Sequence, residues 1–334
     1  MKLGICANWG ESLEAFRAEI NTAADNGYDL IGIGDTPAGW RDLFVSLSIV
    51  ALEAPGLTIA PMVTSPFMRH PIISANAMTS LYDLTGGKAA YGLATGGSTV
   101  VAIGRGPATQ KEIHAEFDAI RGLFNGEEIE WEGRKVSAIR FPRDVPIYYS
   151  AFGPKAFELA GQKADGVILF TGDRQLGELR DKIAAVHAAA TAVGRDPASV
   201  DIWVISFTSV RATRAQALED LKAFISVNAL TIGMSPDLLA RAPEHLQGAI
   251  KEFNRRYDVA DHVVPGGRNV LLMDELGLTE YLSQFDTTMG DVTEMTAFLR
   301  ELEALGVSTF IASLPGHADP LPTVRDLAAA RDAM

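Results

Sequence analysis

The sequence predicts a single (β/α)8 barrel, and three observations carry that prediction. Short apolar runs alternate with longer amphipathic ones along most of the chain. Strands separated by helices pair in parallel through right-handed crossovers. Eight strand-like runs occur, each followed by helical sequence, and eight such units close into a barrel. No composition shift marks a linker. The 334 residues therefore read as one domain, with a hairpin insertion near 127–140 and a mostly helical insertion near 211–285.

The elements follow in order. Lys2–Ala7 is strand-like. Ser12–Asn26 is helical, with Ser12 as N-cap and Gly27 as its stop. Asp29–Gly34 (DLIGIG) is a strand, Arg41–Glu53 a helix, Leu57–Val63 a strand, Ile72–Leu84 a helix and Lys88–Ala94 a strand. A helix runs from about Thr109 to Phe124. Glu127–Ile139 alternates like a hairpin that turns at Glu132-Gly133. Pro146–Ser150, Asp165–Phe170 and Val200–Val210 are strands, separated by helices Pro154–Lys163 and Leu176–Val193. Prolines and glycines punctuate the irregular helical stretch after Arg214. Helix Val292–Leu305, strand Val307–Leu314 and helix Leu321–Ala330 complete the rhythm.

Composition excludes several functions. Lys and Arg number 29 against 42 Asp and Glu, a net charge of −13, so the chain lacks the basic face that nucleic acids and anionic membranes require. Cys6 is the one cysteine, so no intrachain disulfide exists, and its expected place is the apolar core. No apolar run is long enough to span a membrane. The chain opens directly on strand-like KLGICA, which makes the cytoplasm the expected compartment. No two histidines are spaced i, i+3 or i, i+4, and neither HxH nor HExxH occurs, so no metal is expected. No GxSxG occurs either, so an esterase-type nucleophile lacks its usual turn.

Barrel chemistry gathers at the carboxyl ends of the strands. SAFGPK (Ser150–Lys155) ends a strand and places Pro154 in the first turn of a helix, where free N–H groups can hold a phosphate or simply make a turn. ATGGST (Ala94–Thr99) lets the backbone approach a flat ring or a phosphate, or makes a plain turn. In TSPFMRHP (Thr64–Pro71), Arg69 suits a carboxylate or phosphate partner, but by pattern alone the favoured reading is a loop fastened by ordinary hydrogen bonds.

The run MVTSPFMRHPIISANAMTSLYDLTGGKAAYGLATGGS resembles the third-to-fourth-strand stretch of the bacterial-luciferase-like superfamily. Within it the nearest likeness is the methylenetetrahydromethanopterin reductase-like branch. The likeness continues through Ile103–Thr109 and Ile147–Gly172 and returns weakly at Asp291–Leu314, about two-thirds of the chain in all. It implies a barrel that holds FMN or the deazaflavin F420 at its mouth. The family's bulge with a non-prolyl cis peptide, which backs the ring, corresponds to Met62-Val63, next to Thr64. Its glycine loop corresponds to Thr95, Gly96, Gly97 and Ser98. Its phosphate site corresponds to Ser150, Ala151, Phe152, Gly153 and Pro154. Asn8, at the end of the first strand, joins the expected cofactor contacts. Trp9, Trp40 and Phe67 are expected on the substrate side.

The chain departs from the family at one point. Many relatives carry an acidic residue followed by His after the second strand, whereas here the pair is Asp35-Thr36. Threonine is no general base near neutral pH. Either Thr36 only hydrogen-bonds the cofactor or substrate, or the proton moves elsewhere, through His317 or Asp35. The expected activity is a reduced-FMN-dependent monooxygenase that oxidises a small organic substrate with O2, fed by a separate flavin reductase. The alternative is an F420-dependent hydride-transferring oxidoreductase, with Lys155, Arg174 and Arg69 meeting the acidic tail of F420. A catalytically silent flavin-binding barrel is the third reading. The family's habit also implies a homodimer, with Ile72–Leu84 as a partner face.

Overall fold

The computed structural model describes residues 1–334 apart from Ser98, 101–102, 173–174, 259–260, His262 and 315–316; for Asp237 it describes the backbone alone. Ser98 and Arg174 from the expected site thus lie outside the described residues. The chain divides into two compact units: residues 1–169, 180–204 and 303–311 form the first, and 170–179, 205–302 and 312–334 the second.

The first unit holds the barrel. Its strands are β1 (Lys2–Cys6), β2 (Leu30–Ile33), β3 (Thr58–Pro61) and β4 (Tyr91–Leu93), followed after a hairpin by β7 (Ile147–Ser150) and β8 (Gly166–Phe170). The opening parts of β9 (Asp201–Val210) and β11 (Thr309–Ser313) complete it. The strand path is β3-β2-β1-β11-β9-β8-β7-β4, and the isolated bridges Ile59↔Ala89 and Thr64↔Leu93 tie its two ends together. The result is a nearly closed, parallel eight-stranded barrel. These strands are buried on both faces, so they read as continuous apolar runs rather than alternating ones; Leu3, Ile5, Ile31, Ile33 and Ile59 have no exposed surface. Cys6 is a core residue as expected, and burial pushes its thiol up to about 12. Gly92 marks the tightest approach of β4 to β3: a Cβ there would run into the Pro61 carbonyl.

The helices of this unit start where their caps do. α1 (Leu13–Asp25) begins at Ser12, whose hydroxyl accepts the Ala15 N–H at 3.0 Å. It ends before Gly27, which takes a φ of +68°. α2 (Leu43–Glu53) is capped by Asp42, which accepts the Phe44 and Val45 N–H groups. α3 (Pro71–Leu84) has His70 as its cap and Pro71 in its first turn. α4 (Gln110–Phe124) carries a full capping box between Thr109 and Glu112. α5 (Pro154–Lys163) follows Gly153, which supplies no side-chain cap. The hairpin is a separate two-stranded sheet of β5 (Ile129–Trp131) and β6 (Arg134–Val136). It turns at Glu132 and Gly133, both with positive φ, the backbone of a tight two-residue hairpin turn. α6 (Gly177–Ala192) begins in the second unit and ends in the first.

The second unit carries the later part of β9 and the long excursion. α7 (Arg214–Met234), α8 (Pro236–Arg241), α9 (Glu244–Arg256), α10 (Arg268–Glu275) and α11 (Thr279–Leu282) pack around Leu221, Ile225, Ile250, Phe253, Met273, Leu278 and Leu282. One strand there is absent from the sequence reading. β10 (Thr287–Gly290) pairs in parallel with β9, Thr287 opposite Phe207 and Gly290 opposite Val210. Its TTMG sequence has no apolar run to announce it; the unpaired half of β9 recruits it. α12 (Val292–Ala304) and α13 (Leu321–Asp332) follow. Among the described residues no helix is long and apolar enough to cross a membrane.

Candidate active site

The strand ends of the first unit bring most of the expected residues together. At the end of β1, Asn8 Oδ1 accepts the Gly34 N–H at 2.8 Å, which couples the first strand to the second. Trp9 follows, stacked beside Phe16 with ring centroids 6.3 Å apart; its carbonyl accepts the Arg41 N–H. Trp40 packs beside Gly10 and Gly34, its ring at ordinary contact distance from where a Cβ would stand at either.

Asp35, after β2, is buried and takes three hydrogen bonds. Thr64 Oγ1 donates at 2.5 Å, and the Arg69 guanidinium donates through Nη1 at 2.7 Å and Nη2 at 3.2 Å. The same Nη2 donates to Asp42 at 3.1 Å, and the guanidinium lies 4.9 Å from the Phe44 ring centre. One planar, five-donor group therefore fastens the loop after β2, the loop after β3 and the cap of α2. Although burial opposes its charge, the Asp35 and Asp42 carboxylates raise the Arg69 guanidinium above its ordinary value. Burial also opposes the charge of Asp42, yet the Val45 N–H and Arg69 hold it below the usual carboxylate value. Of the partners that the sequence offered Arg69, it takes carboxylates, this chain's own Asp35 and Asp42. Asp35 is an anchor with three of its roughly four acceptor directions taken.

The Met62-Val63 peptide is cis. Thr64 sits directly after it, and its backbone is held on both sides by β4: its N–H donates to Gly92 and its carbonyl accepts from Ala94. In the same loop Ser65 Oγ is buried and has no hydrogen-bond partner among the described residues, and the Trp9 indole N–H is in the same condition. Buried polar groups rarely stay unpaired. Phe67 carries the Arg105 guanidinium 4.3 Å from its ring centre.

After β4, the Thr95 carbonyl accepts the Ala108 N–H at 2.8 Å. Gly96 has a φ of +91°, and a Cβ there would lie 3.3 Å from Ser65 Cβ; around Gly97 there is open space. Thr36 Oγ1 lies 3.1 Å from Thr99 Oγ1, so its hydroxyl is tied to the glycine loop. Sequence reasoning missed Asp42, which was visible as an N-cap before an apolar helix. Ser65 and Thr99 lie inside the two loop motifs that the sequence singles out.

After β7, Ser150 and Ala151 are buried, and Phe152 is 69% exposed. Gly153 starts α5 without a side-chain cap and with open space where a Cβ would stand; Pro154 has no N–H, and the Ala156 and Phe157 N–H groups donate to the Gly153 carbonyl.

His317 belongs to the second unit. Its side chain has no exposed surface, and its Nδ1 is 4.0 Å from Asp220. Asp220 is already engaged by the Ser209 hydroxyl at 2.7 Å and by Arg211 Nε at 2.8 Å. Burial pushes His317 down to about 4, with Asp220 working in the other direction. Among the described residues neither nitrogen of this imidazole has a hydrogen bond of normal geometry. No cluster of metal-ligating side chains occurs among the described residues.

A sequence model of the family described as "Luciferase-like monooxygenase" matches residues 1–309. The chain is 28% identical over 303 residues to the 5,10-methylenetetrahydromethanopterin reductase of Methanolobus tindarius, covering 88% of each chain. It is 28% identical over 320 residues to the F420-dependent glucose-6-phosphate dehydrogenase of Nakamurella multipartita, covering 90% of this chain and 86% of the other. Among solved structures, the coenzyme F420-dependent tetrahydromethanopterin reductase of Methanopyrus kandleri superposes with a TM-score of 0.81 at 20% identity, over 98% of this chain and 97% of the other.

Proposed function

The chain belongs to the luciferase-like monooxygenase family and is an oxidoreductase, and on that premise we propose that it is an F420-dependent enzyme that passes a hydride between the deazaflavin and a small organic substrate. The observation that carries this reading is the pair of relatives, a reductase and an F420-dependent dehydrogenase, each alike over about nine-tenths of the chain. The sequence by itself put O2 chemistry with reduced FMN first. The weight of the relatives supports the reverse order, and the monooxygenase, with its separate flavin reductase, becomes the second reading.

The residues present fit a planar, phosphorylated group. Ser65 Oγ and the Trp9 N–H are buried polar atoms without partners, and Gly97 and Gly153 leave open space where side chains would stand. In this proposal the N–H groups that open α5, with Ser150 beside them, hold the phosphate. Gly96 and Gly97 border the ring, and Met62 and Val63 back it. When bound, the deazaflavin supplies a carbon that accepts or releases hydride. Asn8 keeps the first two strand ends in register, and Arg69 and Asp35 hold Thr64 in place. Thr36 hydrogen-bonds the cofactor or substrate, and Trp9, Trp40 and Phe67 exclude water from the substrate side. Lys155, exposed in the first turn of α5, meets the acidic tail.

A homodimer is part of the same proposal. Val45 and Leu52 on α2 and Ile73 and Leu84 on α3 are 48–67% exposed. Apolar side chains gathered on neighbouring outer helices suit a second copy of the chain. Leu52→Glu with Ile73→Glu should yield monomers by light scattering; an unchanged mass would remove these helices from the interface.

The main test is a titration of the purified chain with F420 and with FMN, followed by O2 uptake with a flavin reductase present. Tight F420 binding without O2 uptake is expected. FMN preference with O2 uptake would replace this reading with the monooxygenase. Ser150→Asp should weaken cofactor binding more than about tenfold by placing a charge against the phosphate. Unchanged affinity would move the phosphate elsewhere.

A further inference from the structure

Helix α4 carries a carboxyl on its buried face. Glu116 has no exposed surface, and Ile113, Phe117 and Ile120 of the same helix are buried with it. α3 and the hairpin strand β5 pack against this helix. Neither oxygen of Glu116 has a hydrogen-bond partner among the described residues, and the fully buried Tyr91 hydroxyl of β4 has none. The two groups face each other in a geometry short of a formed hydrogen bond.

The charged surroundings offer no counter-ion. From α3, Ser74 stands beside the Tyr91 hydroxyl, and the Asp35 and Arg69 charges act on Tyr91 with opposite signs. On α4 itself, Glu112 is bound to Thr109, Asp118 to Lys163 and Arg121 to Asp165. Glu130 on β5 is exposed to solvent. Among the described residues no cation pairs with Glu116. An ionised carboxylate in this place would have neither water nor a cation. A neutral carboxylic acid is both donor and acceptor, and a slight closing on Tyr91 would satisfy it.

We propose that Glu116 is a proton-binding site of the folded chain, carried as a neutral acid at neutral pH, and that its ionisation loosens α4 from the sheet. The barrel wall thereby contains an alkaline latch that no cofactor or substrate is needed to work. Burial pushes the Glu116 carboxyl up to about 8, with Tyr91 working downward. The folded chain then binds this proton more tightly than the unfolded chain does. The stability gained is complete below the ordinary Glu value and is lost as pH rises through the folded value.

The test uses the chain without cofactor, so it stands apart from the proposed activity. Unfolding temperatures of the wild type and Glu116→Gln are compared from about pH 5 to about pH 9. The wild type should fall behind the variant by several degrees as pH rises; parallel curves would overturn the proposal. Should the variant fail to fold, hydrogen exchange on the wild type decides. Corrected for intrinsic rates, protection in α4 should fall by up to about tenfold per pH unit, more steeply than in α2. Parallel loss in the two helices would overturn the latch.

Discussion

Asp35 in the first unit and His317 in the second are both buried, ionisable and placed just past a barrel strand. Asp35 takes three hydrogen bonds from Thr64 and Arg69, whereas neither His317 nitrogen has a partner of normal geometry among the described residues. A buried charge survives only with partners, and a buried base without them stays neutral. Read from sequence, an aspartate and a histidine so placed are both candidates for proton transfer. The structure makes one a charged anchor and the other an uncharged filler.

The largest break of this contrast is removal of the guanidinium. Arg69→Met should cost about 3–5 kcal/mol in chemical denaturation, because Asp35 would then be buried without a counter-charge. A cost below about 1 kcal/mol would show that solvent reaches Asp35 and that the anchor is dispensable. Next comes the acid response of His317. Its folded value of about 4 lies below the ordinary histidine value of 6.5. The unfolded chain therefore binds the proton first, and stability is lost as pH falls from about 6.5 towards about 4, by up to roughly 3 kcal/mol. His317→Gln should flatten that part of the pH–stability curve. An unchanged slope would mean that the imidazole is solvated after all. The smallest effect is a surface control. Thr109→Ala removes the exposed capping box with Glu112 and should cost about 1 kcal/mol, independent of the other two changes.

Much of the fold was legible because it depends on local pattern. The eight barrel strands, the Ser12 and Gly27 boundaries of α1, Pro154 at the start of α5 and the hairpin turn at Glu132-Gly133 all follow from residues adjacent in sequence. The family likeness likewise pointed to Met62-Val63 as the cis position, where the structure has it. β10 was not legible, since its four residues become a strand only because β9 is long enough to leave a free edge. Nor was the order of the cofactor readings, which turned on relatives rather than on any motif.

What the sequence by itself determined is the barrel and the strand ends where chemistry gathers, because the periods of helix and strand and the chemistry of caps and turns are short-range. What only the tertiary structure decided is the state of each ionisable side chain. Arg69 lies 34 positions from Asp35, and Glu116 lies 25 from Tyr91. Charge and protonation depend on which groups the fold brings within a few ångströms and on how much water it leaves there, and neither is written in the spacing of the residues.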